Sequence, residues 1–204
     1  MCGRMATPPV TRLQRALAHP GAVRRPTALD AFRRARRRFL APERLDMSAL
    51  ADELGVNRVT LYRWVGSRDQ LLVEVVWSLA RDSLERIARE VQATGAERVV
   101  QVTARFLAAV VANPGMRRWL GEEPEHATRL LTRPGHGLQP RLVDAFRRLL
   151  EEETSAGRLR LPADARAVAE VIVRLVESST YLDLITGVPP DAQREEAVLR
   201  MLLR

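Results

Sequence analysis

Seven apolar or small residues, Leu50, Ala51, Leu54, Gly55, Val56, Leu61 and Trp64, fall at a spacing that two short helices crossing at a tight turn can bury together. This is the spacing of a helix-turn-helix, and it constrains the chain more than any other stretch does. Ala51 is small where the helices cross. Gly55 permits a positive φ in the turn, which an L side chain resists. Leu50, Leu54, Val56 and Leu61 hold the two helices on a shared core. The outward face of the second helix then shows Arg58, Val59, Thr60, Tyr62 and Arg63. A helix facing only water has no use for such aromatics. A helix entering a major groove does, because arginine reads guanine, apolar groups touch thymine methyls and a tyrosine hydroxyl reaches phosphate. Ser48, at the start of the first helix of the pair, joins these candidate DNA contacts.

The rest of the chain after Thr27 reads as helix. Thr27 and Asp30 form a capping box with a short acid, and Leu29, Phe32, Phe39 and Leu40 give the following helix its apolar side. Asp46 caps the first helix of the pair and Asn57 the second. Ser67 and Gln70 form a capping box that opens a long helix to about Val91. Helices are expected over about 96–112, 116–121, 124–132, 139–156, 163–186 and 192–203, with stops at Asn113-Pro114-Gly115, Gly157 and Gly187. Strand signals are absent, so the fold class is all-α. Residues 1–26, with four prolines and five arginines, read as a basic and mostly flexible arm. Cys2 is the sole cysteine, which excludes an internal disulfide and fits a reducing cytosol. With no apolar run of about 20 residues and no signal-peptide pattern, a cytoplasmic protein with no membrane partner is expected.

Charge divides the chain. Residues 1–76 hold 14 arginines against 7 acids, and residues 77–204 hold 19 against 18. The first third seeks a polyanion and the remainder is close to neutral. All 33 basic residues are arginine, so each phosphate or carboxylate contact can be bidentate. Arg68 lies in the first turn of the long helix, where free amide ends also favour a phosphate.

At this point a resemblance is plain. The stretch LADELGVNRVTLYRWVGSRDQLLVEVV is similar to the N-terminal domain of the TetR family of one-component transcriptional regulators, over about residues 27–77. The resemblance implies that Tyr62 and Arg68 stand at phosphate-contacting positions, and that Arg58, Val59, Thr60 and Arg63 face the groove. The departure is Trp64-Val65, where the family more often has His-Phe, which leaves two roles open for Trp64, core filling and DNA contact. The wording of residues 28–40, 61–72 and 75–80 further resembles the QsdR-type subgroup, linked to degradation of quorum-sensing lactones. The implied organisation is an arm (1–26), a three-helix DNA-binding domain (27–76) and a helical effector-binding and dimerisation domain (77–204).

The second part supports that organisation by its own pattern. Val168, Val171, Ile172, Leu175, Val176, Ser179 and Leu182 keep a helical stripe, as do Leu142, Val143, Phe146, Leu149 and Leu150. Two such neighbouring helices from each of two subunits make a four-helix bundle. Leu142, Phe146, Leu149, Val171, Leu175, Ser178 and Leu182 are the candidate dimer contacts. A homodimer would supply two reading heads for a palindromic operator. Trp77, Phe106, Trp119, Phe146 and Tyr181, with Met116 as an adaptable wall, are the candidate lining of a small apolar effector site. The function expected is a ligand-responsive, sequence-specific regulator, a repressor released from its operator by a small apolar effector; the QsdR resemblance implies a lactone or fatty-acyl compound.

Two other classes compete. A non-specific DNA binder accounts for the arginines but not for the neutral, aromatic-bearing remainder. A metal-dependent helical enzyme would have to use His19, His126 or His136 with Glu122, Glu123 and Glu125. Helical metal sites want i, i+3 or i+4 histidine pairs, which are missing, so no metal or cofactor is expected. The opening MCGR could expose Cys2 as a nucleophile, but nothing downstream continues that pattern.

Overall fold

The computed structural model describes residues 25–132, 137–186 and 192–203, with the side chains of 182–186 and 192–193 excluded. The expected arm, Cys2, His19, His136 and the Leu182 side chain lie outside the described residues. These form ten helices and no strand: α1 (Ala28–Leu40), α2 (Met47–Leu54), α3 (Arg58–Val65), α4 (Arg68–Glu90), α5 (Gly95–Ala112), α6 (Pro114–Glu122), α7 (Pro124–Thr132), α8 (Leu138–Ser155), α9 (Ala165–Thr186) and α10 (Ala192–Leu202).

The helix starts follow from local chemistry. Thr27 and Asp30 close a capping box at α1, and Ser67 and Gln70 another at α4. Asp46 accepts the Ala49 amide at 2.8 Å and Asn57 accepts the Thr60 amide at 2.7 Å, which fixes the two helices of the helix-turn-helix. Gly55 ends α2 with φ of 65°, the left-handed turn that the sequence required of it. Asn113 caps α6 through the Met116 amide, so α6 begins at Pro114, two residues earlier than the periodicity predicts.

The apolar side of α1 differs from expectation. Ala31, Ala35 and Phe39 are buried, whereas Leu29 and Leu40 are 61% and 41% exposed. Small residues at i and i+4 let α1 lie close on its neighbours, and packing distance overrides residue size. Helix α1 packs on α2, α3 and α4, and its end meets α6. There Gly115 has no room for a side chain, since a Cβ would stand 2.1 Å from the Phe39 carbonyl oxygen. Phe39 also meets Trp119 edge to face at 6.1 Å. Helices α8 and α9 pack along their length, α4 lies against α5 and α8, and α10 covers α5. No single helix is long and apolar enough to cross a membrane.

Candidate nucleic-acid interface and effector cavity

Helix α3 turns Leu61 into the core and leaves the opposite side open. Val59 is 73% exposed and Tyr62 40%. Arg58 and Arg63 are also exposed, and among the described residues neither is held in an ion pair, although the Arg58 charge adds to the Ala49 amide in lowering the Asp46 carboxyl. Unpaired guanidiniums beside an exposed valine and tyrosine form a surface that can meet both phosphate and base edges. Thr60 and Ser48 are half-buried at its border, and so is Trp64, which stays outside the central core.

Most of the arginines of α1 do not join this surface. Arg34 and Arg38 both pair with Glu53 of α2, and their hydrogen bonds, Arg34's first, hold the Glu53 carboxyl below the usual carboxylate range. Arg36 pairs with Asp82 of α4 at 2.7 Å. These arginines fasten α1 to α2 and α4.

Arg68, expected on a phosphate, is engaged within the chain. Its Nη1 and Nη2 donate to the two oxygens of Glu123 at 3.0 and 2.7 Å, and its Nε donates to the Leu45 carbonyl at 3.0 Å. The residue expected on a phosphate is therefore held by the carboxylate at the end of α6. The Arg68 hydrogen bonds depress the Glu123 carboxyl, with His126 and Arg44 adding to the effect. His126 lies on α7, with its Nε2 2.9 Å from Asp69 and its Nδ1 3.5 Å from Glu123. It sits edge-on to Trp119 at 6.1 Å. His126 is half-buried in a polar joint between the start of α4 and the α6–α7 corner. Among the described residues no group of three His, Cys, Asp or Glu side chains could hold a metal.

The same helix α4 leads from this joint to a cavity of about 70 Å³. Val76, Leu79, Ala80 and Ser83 of α4 form one wall, Phe106, Ala109 and Val110 of α5 another, and Val176, Glu177, Thr180 and Tyr181 of α9 a third. Asn113, Met116, Leu131, Leu138 and Leu142 complete it. Of the aromatics expected here, Phe106 and Tyr181 line the cavity, as does Met116. Trp77 does not: it lies half-buried beneath the Arg141 guanidinium, 5.8 Å from the ring centre, and Arg141 is clamped to Glu74. Trp119 is committed to Phe39 and His126. Phe146 backs Phe106 from behind at 5.9 Å.

Sequence reasoning missed the polar residues of the wall, above all Glu177. The reason is the rotation of α9. The buried face runs through Val168, Ala169, Ile172, Val173, Val176, Glu177 and Thr180, while Val171 is 45% exposed. An acid at Glu177, in step with Ala169, Val173 and Thr180, was the available signal. The expected dimer stripe divides in the same way. Leu142, Phe146 and Leu149 of α8 are buried in the chain's own core, whereas Val171, Leu175 and Ser178 lie toward the outer side of α9. Helix α8 is covered by α4, α5 and α9, which leaves mainly Arg, Asp and Glu on its outward side.

An exposed reading helix, joined by one long helix to a body that holds a mainly apolar cavity, defines the class: a helix-turn-helix regulator with a place for a ligand. The family model described as the tetracyclin repressor-like C-terminal domain matches residues 94–204, and the chain belongs to the TetR family of transcriptional regulators. Within it the chain is QsdR-like. It superposes on the R. erythropolis transcriptional repressor QsdR with a TM-score of 0.79 and 28% identity, over 86% of this chain and 93% of that one. The fold is shared with the repressor AlkX from Dietzia sp. strain DQ12-45-1b, at TM-score 0.62 and 22% identity over 88% and 95% of the chains. It is shared also with Bacillus subtilis FadR in complex with stearoyl-CoA, at 0.54 and 13% over 86% and 97%. No curated protein sequence matches the chain.

Proposed function

We propose that this protein is a dimeric, sequence-specific repressor whose α3 enters the major groove and whose operator affinity falls when a small apolar molecule occupies the cavity. The observation that carries the reading is α4. Its first turn adjoins the reading head through Arg68, and about two to four turns later its Val76, Leu79, Ala80 and Ser83 line the cavity. A ligand that prefers one tilt of α4 shifts the population of head positions, and by linkage operator and ligand weaken each other by one factor. The reading treats residues 27–76 as the DNA-binding unit and 77–204 as the effector-binding and dimerising unit. The outer side of α9, with Val171, Leu175 and Ser178, is the proposed dimer contact. The likeness to a repressor supports the sign of regulation, and the apolar wall supports the effector class.

Footprinting on DNA upstream of the protein's own gene tests this. Two protected half-sites about one helical turn apart, 10–10.5 bp between centres or a multiple of that, are expected of a two-headed reader. Uniform weak protection without half-sites would replace the reading with non-specific DNA binding.

A further inference from the structure

Arginine supplies every lysine-or-arginine position of the chain, yet none of the described residues lining the cavity is cationic. Among the described residues the ionisable groups of its wall are Glu177 and Tyr181, four residues apart and so on one face of α9. The Glu177 side chain is 11% exposed. Its Oε2 accepts Arg174 Nη1 at 2.8 Å, and Arg174 itself is 61% exposed outside the cavity. Its Oε1 accepts only a long bond, 3.3 Å, from Gln139. A carboxylate offers about four acceptor sites, so Oε1 keeps capacity for a further donor. Tyr181 is 6% exposed and its hydroxyl has no hydrogen bond among the described residues. Buried tyrosine hydroxyls ordinarily find a partner. Burial, aided by the Glu177 carboxylate, raises the phenol above its ordinary value, so it stays protonated and can donate. The Thr180 hydroxyl hydrogen is already given to the Val176 carbonyl at 2.7 Å.

An anion entering this space would leave water for a wall that offers no countercharge among the described residues, and would meet Glu177. The volume of about 70 Å³ holds roughly five to seven water-sized groups. We infer that the cavity takes a small uncharged molecule with an apolar body and a hydrogen-bond donor, such as a primary amide or an alcohol. Glu177 accepts from the donor, and carboxylates and phosphate-bearing acyl carriers are rejected. This rests on the reading of the cavity as the effector site. A primary amide suits both groups, since its N–H meets Glu177 and its carbonyl can accept from Tyr181.

Calorimetric titration of the full chain with hexanamide, hexan-1-ol and hexanoate tests the class, on the wild type, on Glu177→Gln and on two variants that fill the cavity, Ala109→Trp and Ser83→Phe. The two fillers are used together because either one alone can disturb folding, which circular dichroism checks. Hexanamide and hexan-1-ol are expected to bind about tenfold or more tighter than hexanoate. Glu177→Gln is expected to narrow that gap to about threefold or less, and a folded filling variant to abolish binding. Hexanoate binding as tightly as the neutral probes, or a gap unchanged in Glu177→Gln, overturns the ligand class while the cavity reading stands. Binding indifferent to the filling variants, or no binding by any probe at millimolar concentration, overturns the cavity reading and the class together.

Discussion

Replacing Glu123 by glutamine should tighten operator binding. Arg68 is held on Glu123 by two hydrogen bonds of 2.7 and 3.0 Å, and the two side chains are only 23% and 18% exposed. Exposed ion pairs contribute about 0–1 kcal/mol, and rupture of buried ones costs about 3–5 kcal/mol. A pair of this intermediate burial therefore holds Arg68 by about 1–2 kcal/mol. A DNA phosphate that recruits Arg68 must overcome this. Glu123→Gln keeps the shape and removes the charge, so affinity per reading head should rise about 5- to 30-fold. One freed arginine also adds one phosphate contact, which steepens the slope of log K against log salt by about 0.9 per head. Fluorescence anisotropy of a labelled operator duplex across a salt series reads both quantities. Unchanged or weaker affinity with an unchanged slope would refute the reasoning and would mean that the pair positions α4 for DNA instead of competing with it.

Other changes test the scaffold. Glu153 is fully buried, where it accepts the Gly95 amide, Arg98 and Arg158. The Arg158 hydrogen bonds first, then Gly95 and Arg98, hold its carboxyl at about 2 against an ordinary 4.5. Linkage makes that about 3 kcal/mol of stability, present above pH 4.5 and lost as pH falls from there toward 2. Glu153→Gln should lower the melting temperature at pH 7 by about 6–12 °C, with the difference shrinking in acid; an equal difference at both pH values would contradict the linkage. Gly115→Ala drives a methyl against the Phe39 carbonyl and should cost about 1–3 kcal/mol in urea unfolding, whereas an unchanged midpoint would deny the close seat of α6 on α1. Val171→Asp, on the outer side of α9, should halve the sedimenting mass without loss of helicity. A mass that stays at two chains would move the dimer contact elsewhere.

What was legible in the sequence was local. Thr27, Asp46, Asn57 and Ser67 cap their helices because a side-chain oxygen three residues from an amide acts without reference to the rest of the fold. The reading face of α3 follows from the same few residues. The cavity was half legible. Aromatic residues announce an apolar interior, but not which of them is committed elsewhere, as Trp119 is to Phe39 and Trp77 to Arg141. The inward face of α9 was legible in Val168, Ile172, Val176 and Ser179, but not in Glu177, an acid that the neighbouring helices turn inward. The Arg68–Glu123 pair joins residues 55 apart in sequence, and no helical spacing links them.

The central claim is sequence-specific reading by α3. The most direct measurement is binding of the purified protein to a labelled duplex from upstream of its own gene, against a scrambled duplex, at low and high salt. Arg58→Ala with Tyr62→Ala serves as the control. Preference for the upstream duplex is expected to persist at high salt and to disappear in the double variant. Equal binding to both duplexes, fading together as salt rises and unaffected by the two substitutions, would contradict it.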